Sequence, residues 1–165
     1  TAQAILDHTW SNVKVANVWL NDRLVGETGL NAAVCGHFGA PVILLSGDQS
    51  VAAEAGSWLP GVRTVIVKQA VGRFAASCLP PQKTQELIST AAKQAVEDFL
   101  AGNAAAPLRV AEPVSLMVEF KAPDMADRAA LIAGVSRVDG RTLRCTAENM
   151  PEAYFCFRNM VGMAG

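Results

Sequence analysis

Histidine is scarce in this sequence: two residues in 165, His8 and His37. No HExxH occurs, and no histidine pair sits four apart, so the chain cannot build a histidine-rich metal site alone. The four cysteines fall at 35, 78, 145 and 156, without a CxxC or zinc-finger spacing. Their apolar or small neighbours predict reduced, mostly buried thiols in a cytoplasmic protein. Charge is also sparse, at 18% of residues with a formal net charge of −1. No basic face follows from that balance, which argues against nucleic acid as a partner. Apolar runs fall well short of the ~18 residues that cross a membrane, which argues against a membrane-spanning role. GxSxG, P-loop and GxGxxG motifs are absent, as are internal repeats and low-complexity tracts.

What the chain does have is apolar material. It is 51% hydrophobic, with a mean hydropathy of +0.24, enough for a sizeable core in one domain or slightly more. Residues 13–20, VKVANVWL, alternate loosely and predict a strand. Asn21-Asp22 is turn chemistry, and Leu24-Val25 begin a return strand. Leu30, Ala33, Val34 and Phe38 repeat at helical spacing, predicting a helix over 27–38 that Gly39 and Pro41 stop. The unbroken apolar run 42–46 reads as a central parallel strand buried on both faces. A short helix follows, capped by Asp48 or Ser50, and then a strand over 64–69. Residues 70–82 look irregular, and Lys83 to Leu100 is the longest helix. The stretch 114–120, VSLMVEF, alternates cleanly. A helix from Pro123 to about Ala133, a hairpin around Asp139-Gly140 and a last helix capped by Asn149 complete the chain. The alternation of strands and helices predicts an α/β fold with a mixed, mostly parallel sheet flanked by helices.

The stretch 6–39, LDHTWSNVKVANVWLNDRLVGETGLNAAVCGHFG, holds both His8 and Glu27, 19 residues apart. A hairpin between them can return its ends to one place. Imidazole beside a carboxylate suits metal ligation and proton transfer. Each residue also has a plainer role. A loop histidine is usually structural, and an acid in the first turn of a helix is favoured by the helix dipole by only ~0.3–1 kcal/mol. Gly26 before Glu27 lets a backbone approach a ligand closely. Asp7 is placed to orient the His8 ring or to be solvated. His37 reads as structural, at the end of its helix. Asp48 follows a strand end where α/β sheets bind ligands, though a cap is its commoner job. Lys68 and Arg73 suit a substrate carboxylate or an ordinary ion pair. Trp10, Trp19 and Trp58 read as core or interface residues. No substrate-binding residue is singled out.

Taken together, the D-H-T stretch at Asp7–Thr9, NDRLVGETGLNA, SGDQ, VKQAVGR and CLPP resemble the DppA-type D-aminopeptidases, densely from about Leu6 to Pro81 and weakly thereafter. The resemblance implies an α/β fold and a hydrolytic site with two zinc ions that releases amino acids from short, D-amino-acid peptides. It makes Glu27, within VGETGLNA, a zinc ligand and His8 the catalytic histidine. The family's Asp-x-Glu and its two ligand histidines have no match here and are expected upstream of Thr1. The chain is therefore expected to be the C-terminal portion of such an enzyme, lacking the N-terminal part of the fold and inactive alone. Residues 1–82 would carry the catalytic half, and 83–165 a helix followed by an α+β part.

Sheet edges left unpaired by missing strands would be covered by a homo-oligomer or by the upstream segment, and the resemblance points to a ring-like assembly. Two other readings stand beside this one. Thr1 would act as an N-terminal nucleophile if freed by self-cleavage, or the chain would be a non-catalytic subunit that binds peptides or small ligands.

Overall fold

Turns and caps punctuate the chain where the sequence has Asn, Asp, Pro and Gly. The fold is that of a computed structural model, which describes residues 3–165. Nine strands and five helices occur among them, distributed over two compact units. One unit comprises residues 8–38 and 109–165, the other residues up to 7 together with 39–108. These boundaries cross the expected 1–82 and 83–165 halves.

The first unit is built on a five-stranded sheet. Its elements are β1 (Val15–Leu20), β2 (Arg23–Leu24), α1 (Glu27–His37), β7 (Val114–Phe120), α4 (Pro123–Ala129), β8 (Val135–Arg137), β9 (Thr142–Ala147) and α5 (Met150–Met163). The strand order is β2-β1-β7-β9-β8, and every pair is antiparallel. Asn21 and Asp22 both take positive φ, 48° and 62°, the mirror-image turn whose twist suits a two-residue hairpin. Alternation along β7 buries Val114, Leu116, Val118 and Phe120 completely and sends Ser115, Met117 and Glu119 the other way. Helix α5 packs on β7 and β9 through a stripe of Met150, Ala153, Phe157, Met160 and Val161. Each such large side chain contributes up to about 1.5–3 kcal/mol. Asn149 caps α5 by accepting from the Glu152 N–H at 3.0 Å.

The second unit contains β3 (Leu44–Gly47), α2 (Gln49–Trp58), β4 (Arg63–Ile66), β5 (Lys68–Gly72), β6 (Ala75–Cys78) and α3 (Pro81–Leu100). Strands β3 and β4 are parallel, joined through α2, and both α2 and α3 pack against them. Strands β5 and β6 form an antiparallel hairpin with an irregularity between Ala70 and Gly72. Pro81 opens α3 at a position where its missing N–H is no loss.

The mixed α/β architecture holds, but the expected mostly parallel sheet does not. The main sheet is antiparallel throughout, and among the described residues only β3 and β4 run parallel. The β–β–α–β–α–β order suggested successive crossovers. Instead the chain leaves β1 and β2 for the second unit and pairs β1 with the later β7, so no βαβ crossover links the strands of the large sheet. Strand β3 is also not buried on both faces: its residues are half-buried or exposed, since a two-stranded pair offers little cover. The presumed irregular stretch 70–82 contains the β5–β6 hairpin and the start of α3. The nucleophile reading of Thr1 lies outside the described residues.

Candidate active-site corner

The hairpin of β1 and β2 returns the chain to where it entered. The residues just before β1 and the first turn of α1 thereby meet. His8 Nε2 lies 3.9 Å from Glu27 Oε1, with the two side chains 41% and 43% exposed. The sequence-predicted pair is thus brought together with both groups accessible to solvent. Glu27 is the first residue of α1, after Gly26 in an extended conformation that provides no side-chain cap. Its carboxylate is favoured there by the helix dipole, and its Oε1 accepts the backbone N–H of Trp10 at 2.9 Å.

Trp10 is a residue that the sequence reading left as core or interface. Its φ is 65°, in the left-handed region that a bulky side chain rarely enters. The Ser11 N–H donates to the Thr9 carbonyl at 2.7 Å, so Trp10 is the central residue of a γ-turn of the rare, strained kind. Three residues of α5 contact its ring. Tyr154 and Phe157 meet it edge-on, with centroids at 5.8 and 5.5 Å, and the Arg158 guanidinium lies 4.6 Å from its centroid. No local motif signals these contacts, because α5 is far along the chain. The only local hint was the aromatic placed two residues after His8.

The other candidates are committed elsewhere. His37 Nδ1 lies 3.7 Å from Glu112 Oε1, its ring meets Phe38 edge-on, and its carbonyl accepts from Arg109, all consistent with a structural role. Asp48 is buried and caps α2, Oδ1 accepting from Ser50 N at 3.0 Å and Val51 N at 2.9 Å. Its Oδ2 accepts from Ile5 N at 2.9 Å. Burial opposes the charge on Asp48, but these three N–H groups and the Lys68 ammonium outweigh it and hold the carboxyl below its usual range. Arg73 engages Asp7, with Nε 3.3 Å from Asp7 Oδ1 and Nη2 donating to the Asp7 carbonyl at 3.0 Å, so neither is reserved for a substrate. The expectation of mostly buried thiols is only half met: Cys35 and Cys78 are exposed, Cys156 is partly so and Cys145 is buried. The Cys145 thiol is pushed up by its hydrogen bond to Cys156 and by burial.

A half-exposed carboxylate oxygen and an imidazole nitrogen are donors that zinc takes, but a zinc site uses three or four. Among the described residues no group of three or more His, Cys, Asp or Glu is placed to hold a metal ion. The pair therefore fits as part of a zinc site and not as a whole one.

A family model described as D-aminopeptidase, Peptidase_M55, matches residues 1–159. A D-aminopeptidase of Bacillus subtilis (strain 168) is 34% identical over 151 residues, which are 91% of this chain and 54% of that protein. A solved structure described as a Zn-dependent D-aminopeptidase DppA from Bacillus subtilis, a self-compartmentalizing protease, superposes with a TM-score of 0.90 at 33% identity. That match covers 97% of this chain and 57% of the other. The chain thus spans about half the length of the relatives it matches.

Proposed function

The chain belongs to the Peptidase_M55 family of D-aminopeptidases, and from that premise we propose that it carries one part of a zinc-dependent aminopeptidase site acting on short D-amino-acid peptides in the cytoplasm. Glu27 holds zinc, and His8 serves the reacting oxygen. The observation that carries this is the His8–Glu27 approach of 3.9 Å in a solvent-accessible corner. Zinc, when bound, acidifies water and polarises a carbonyl. Glu27 contributes a carboxylate whose orientation is fixed by the Trp10 N–H. His8 is placed to hydrogen-bond the oxygen that gains charge and to carry a proton toward the leaving amine. Glu27 is one ligand where a zinc site uses three or four, and a partial site of this kind accords with a chain that spans about half the length of its relatives; on this reading the 165 residues alone do not suffice for turnover. A homo-oligomer of the complete protein accords with the self-compartmentalizing relative.

The test uses the complete gene product and a short D-aminoacyl amide beside its L-isomer. Exhaustive chelation abolishes hydrolysis and added zinc restores it, with the D-isomer preferred. Hydrolysis unchanged after chelation would contradict the assignment.

A further inference from the structure

We propose that Trp10 is a positioning residue for Glu27, and that its strained backbone, clamped by α5, aims the amide that orients the carboxylate. This rests on the assignment of Glu27 as a zinc-holding group. Three observations converge on it. Trp10 sits at φ 65°, at the centre of the turn closed by the Ser11 N–H to Thr9 carbonyl hydrogen bond. Such backbone strain persists only where the surroundings over-determine it, and it gathers at functional sites. The strained residue's own N–H is the group that meets Glu27 Oε1, at 2.9 Å. The ring meets three residues of one helix, with Tyr154 and Phe157 edge-on and Arg158 over its face. Tyr154 and Phe157 also approach each other, at 6.3 Å between centroids, so the grip is a cluster and not a chance contact.

The physical sense is a division of labour. A glutamate on the first turn of a helix has free rotation about its side-chain bonds and pays entropy to hold one pose. An N–H fixed on one oxygen removes much of that freedom and leaves the second oxygen as a donor. Groups that orient a ligand in this way typically change metal affinity by about 10–100-fold when removed. The residue supplying the N–H must not drift, and any residue with a Cβ would leave the positive-φ γ-turn without the ring's anchorage. Helix α5, itself fixed by the Asn149 cap and by its buried stripe on β7 and β9, provides that anchorage.

The test measures zinc retention in the complete gene product against a competing chelator, with circular dichroism recording the fold of each variant and Glu27→Ala setting the scale. Trp10→Ala keeps the amide but loses the ring and is disfavoured in the left-handed region; it weakens retention by about 10–100-fold. Trp10→Phe keeps most of the affinity. Trp10→Gly, which adopts positive φ freely, retains zinc better than Trp10→Ala, an order that lost packing would not produce. Arg158→Ala, at an exposed position, folds normally and shows a smaller loss in the same direction. Trp10→Gly retaining no better than Trp10→Ala overturns the positioning role. So does Trp10→Ala at full retention while Glu27→Ala loses zinc, in which case the reading of Glu27 survives alone. Full retention in Glu27→Ala overturns both. If Trp10→Ala does not fold, unchanged retention in Arg158→Ala overturns the clamp.

Discussion

Among the described residues four carboxylates sit at helix N-termini, Glu27, Asp48, Asp124 and Glu152, and two of them, Glu27 in one compact unit and Asp48 in the other, are put to different use. Asp48 is 5% exposed, and its two oxygens accept from three backbone N–H groups. Glu27 is 43% exposed on its side chain, accepts from one backbone N–H and faces an imidazole. Both answer the same helix-terminus physics. What separates them is what remains once local N–H groups have been served. Asp48 is consumed in joining residue 5 to the start of α2, whereas Glu27 retains donor capacity in an accessible corner. An acid at a helix start is therefore informative only when its hydrogen bonds are counted.

The contrast can be broken most sharply at the imidazole. His8→Ala in the complete gene product lowers turnover by about 10²–10⁴-fold while zinc content stays near its starting level, read by elemental analysis of the same sample. A large loss of zinc would make His8 a ligand instead. Next in size is Asp48→Ala, which costs about 1–2 kcal/mol of unfolding free energy as a lost cap, measured by urea denaturation, with zinc content unchanged. Asp48→Asn keeps a capping oxygen and loses less.

The same residue predicts an acid response. The Asp48 carboxyl is held below its ordinary value in the folded chain. Its contribution to stability is therefore complete above the unfolded carboxyl's value and is lost as pH falls through the lower, folded one. Asp48→Asn should flatten that part of the acid limb. An unchanged slope in the variant would show that Asp48 is not its source. The smallest effect belongs to His37→Gln. The His37–Glu112 approach of 3.7 Å is an exposed ion pair at most, so stability moves by less than about 1 kcal/mol and turnover is unaffected.

Much of this arrangement could be read from residues. Asn21-Asp22 marked the hairpin, and the helix period placed α1 directly after it, so the meeting of His8 and Glu27 followed from local signals. Alternation at 114–120 located β7 to the residue, and Asn149 and Asp48 were legible as caps. Strand direction was not legible, because β1 pairs with β7 across a long stretch of chain and no turn chemistry encodes that pairing. The β5–β6 hairpin hid because Ala70 to Ala76 lacks alternation and carries an irregularity at Gly72. Trp10 hid for a related reason. Its backbone contradicts the preference of a bulky residue, and its partners belong to α5, so only tertiary packing reveals it.

The difference between the two acids is measured most directly as zinc per chain in Glu27→Gln and Asp48→Asn, each nearly isosteric with the residue it replaces. The account predicts a clear drop for Glu27→Gln and wild-type content for Asp48→Asn in the folded protein. Wild-type zinc in Glu27→Gln, or a drop confined to Asp48→Asn, would contradict it.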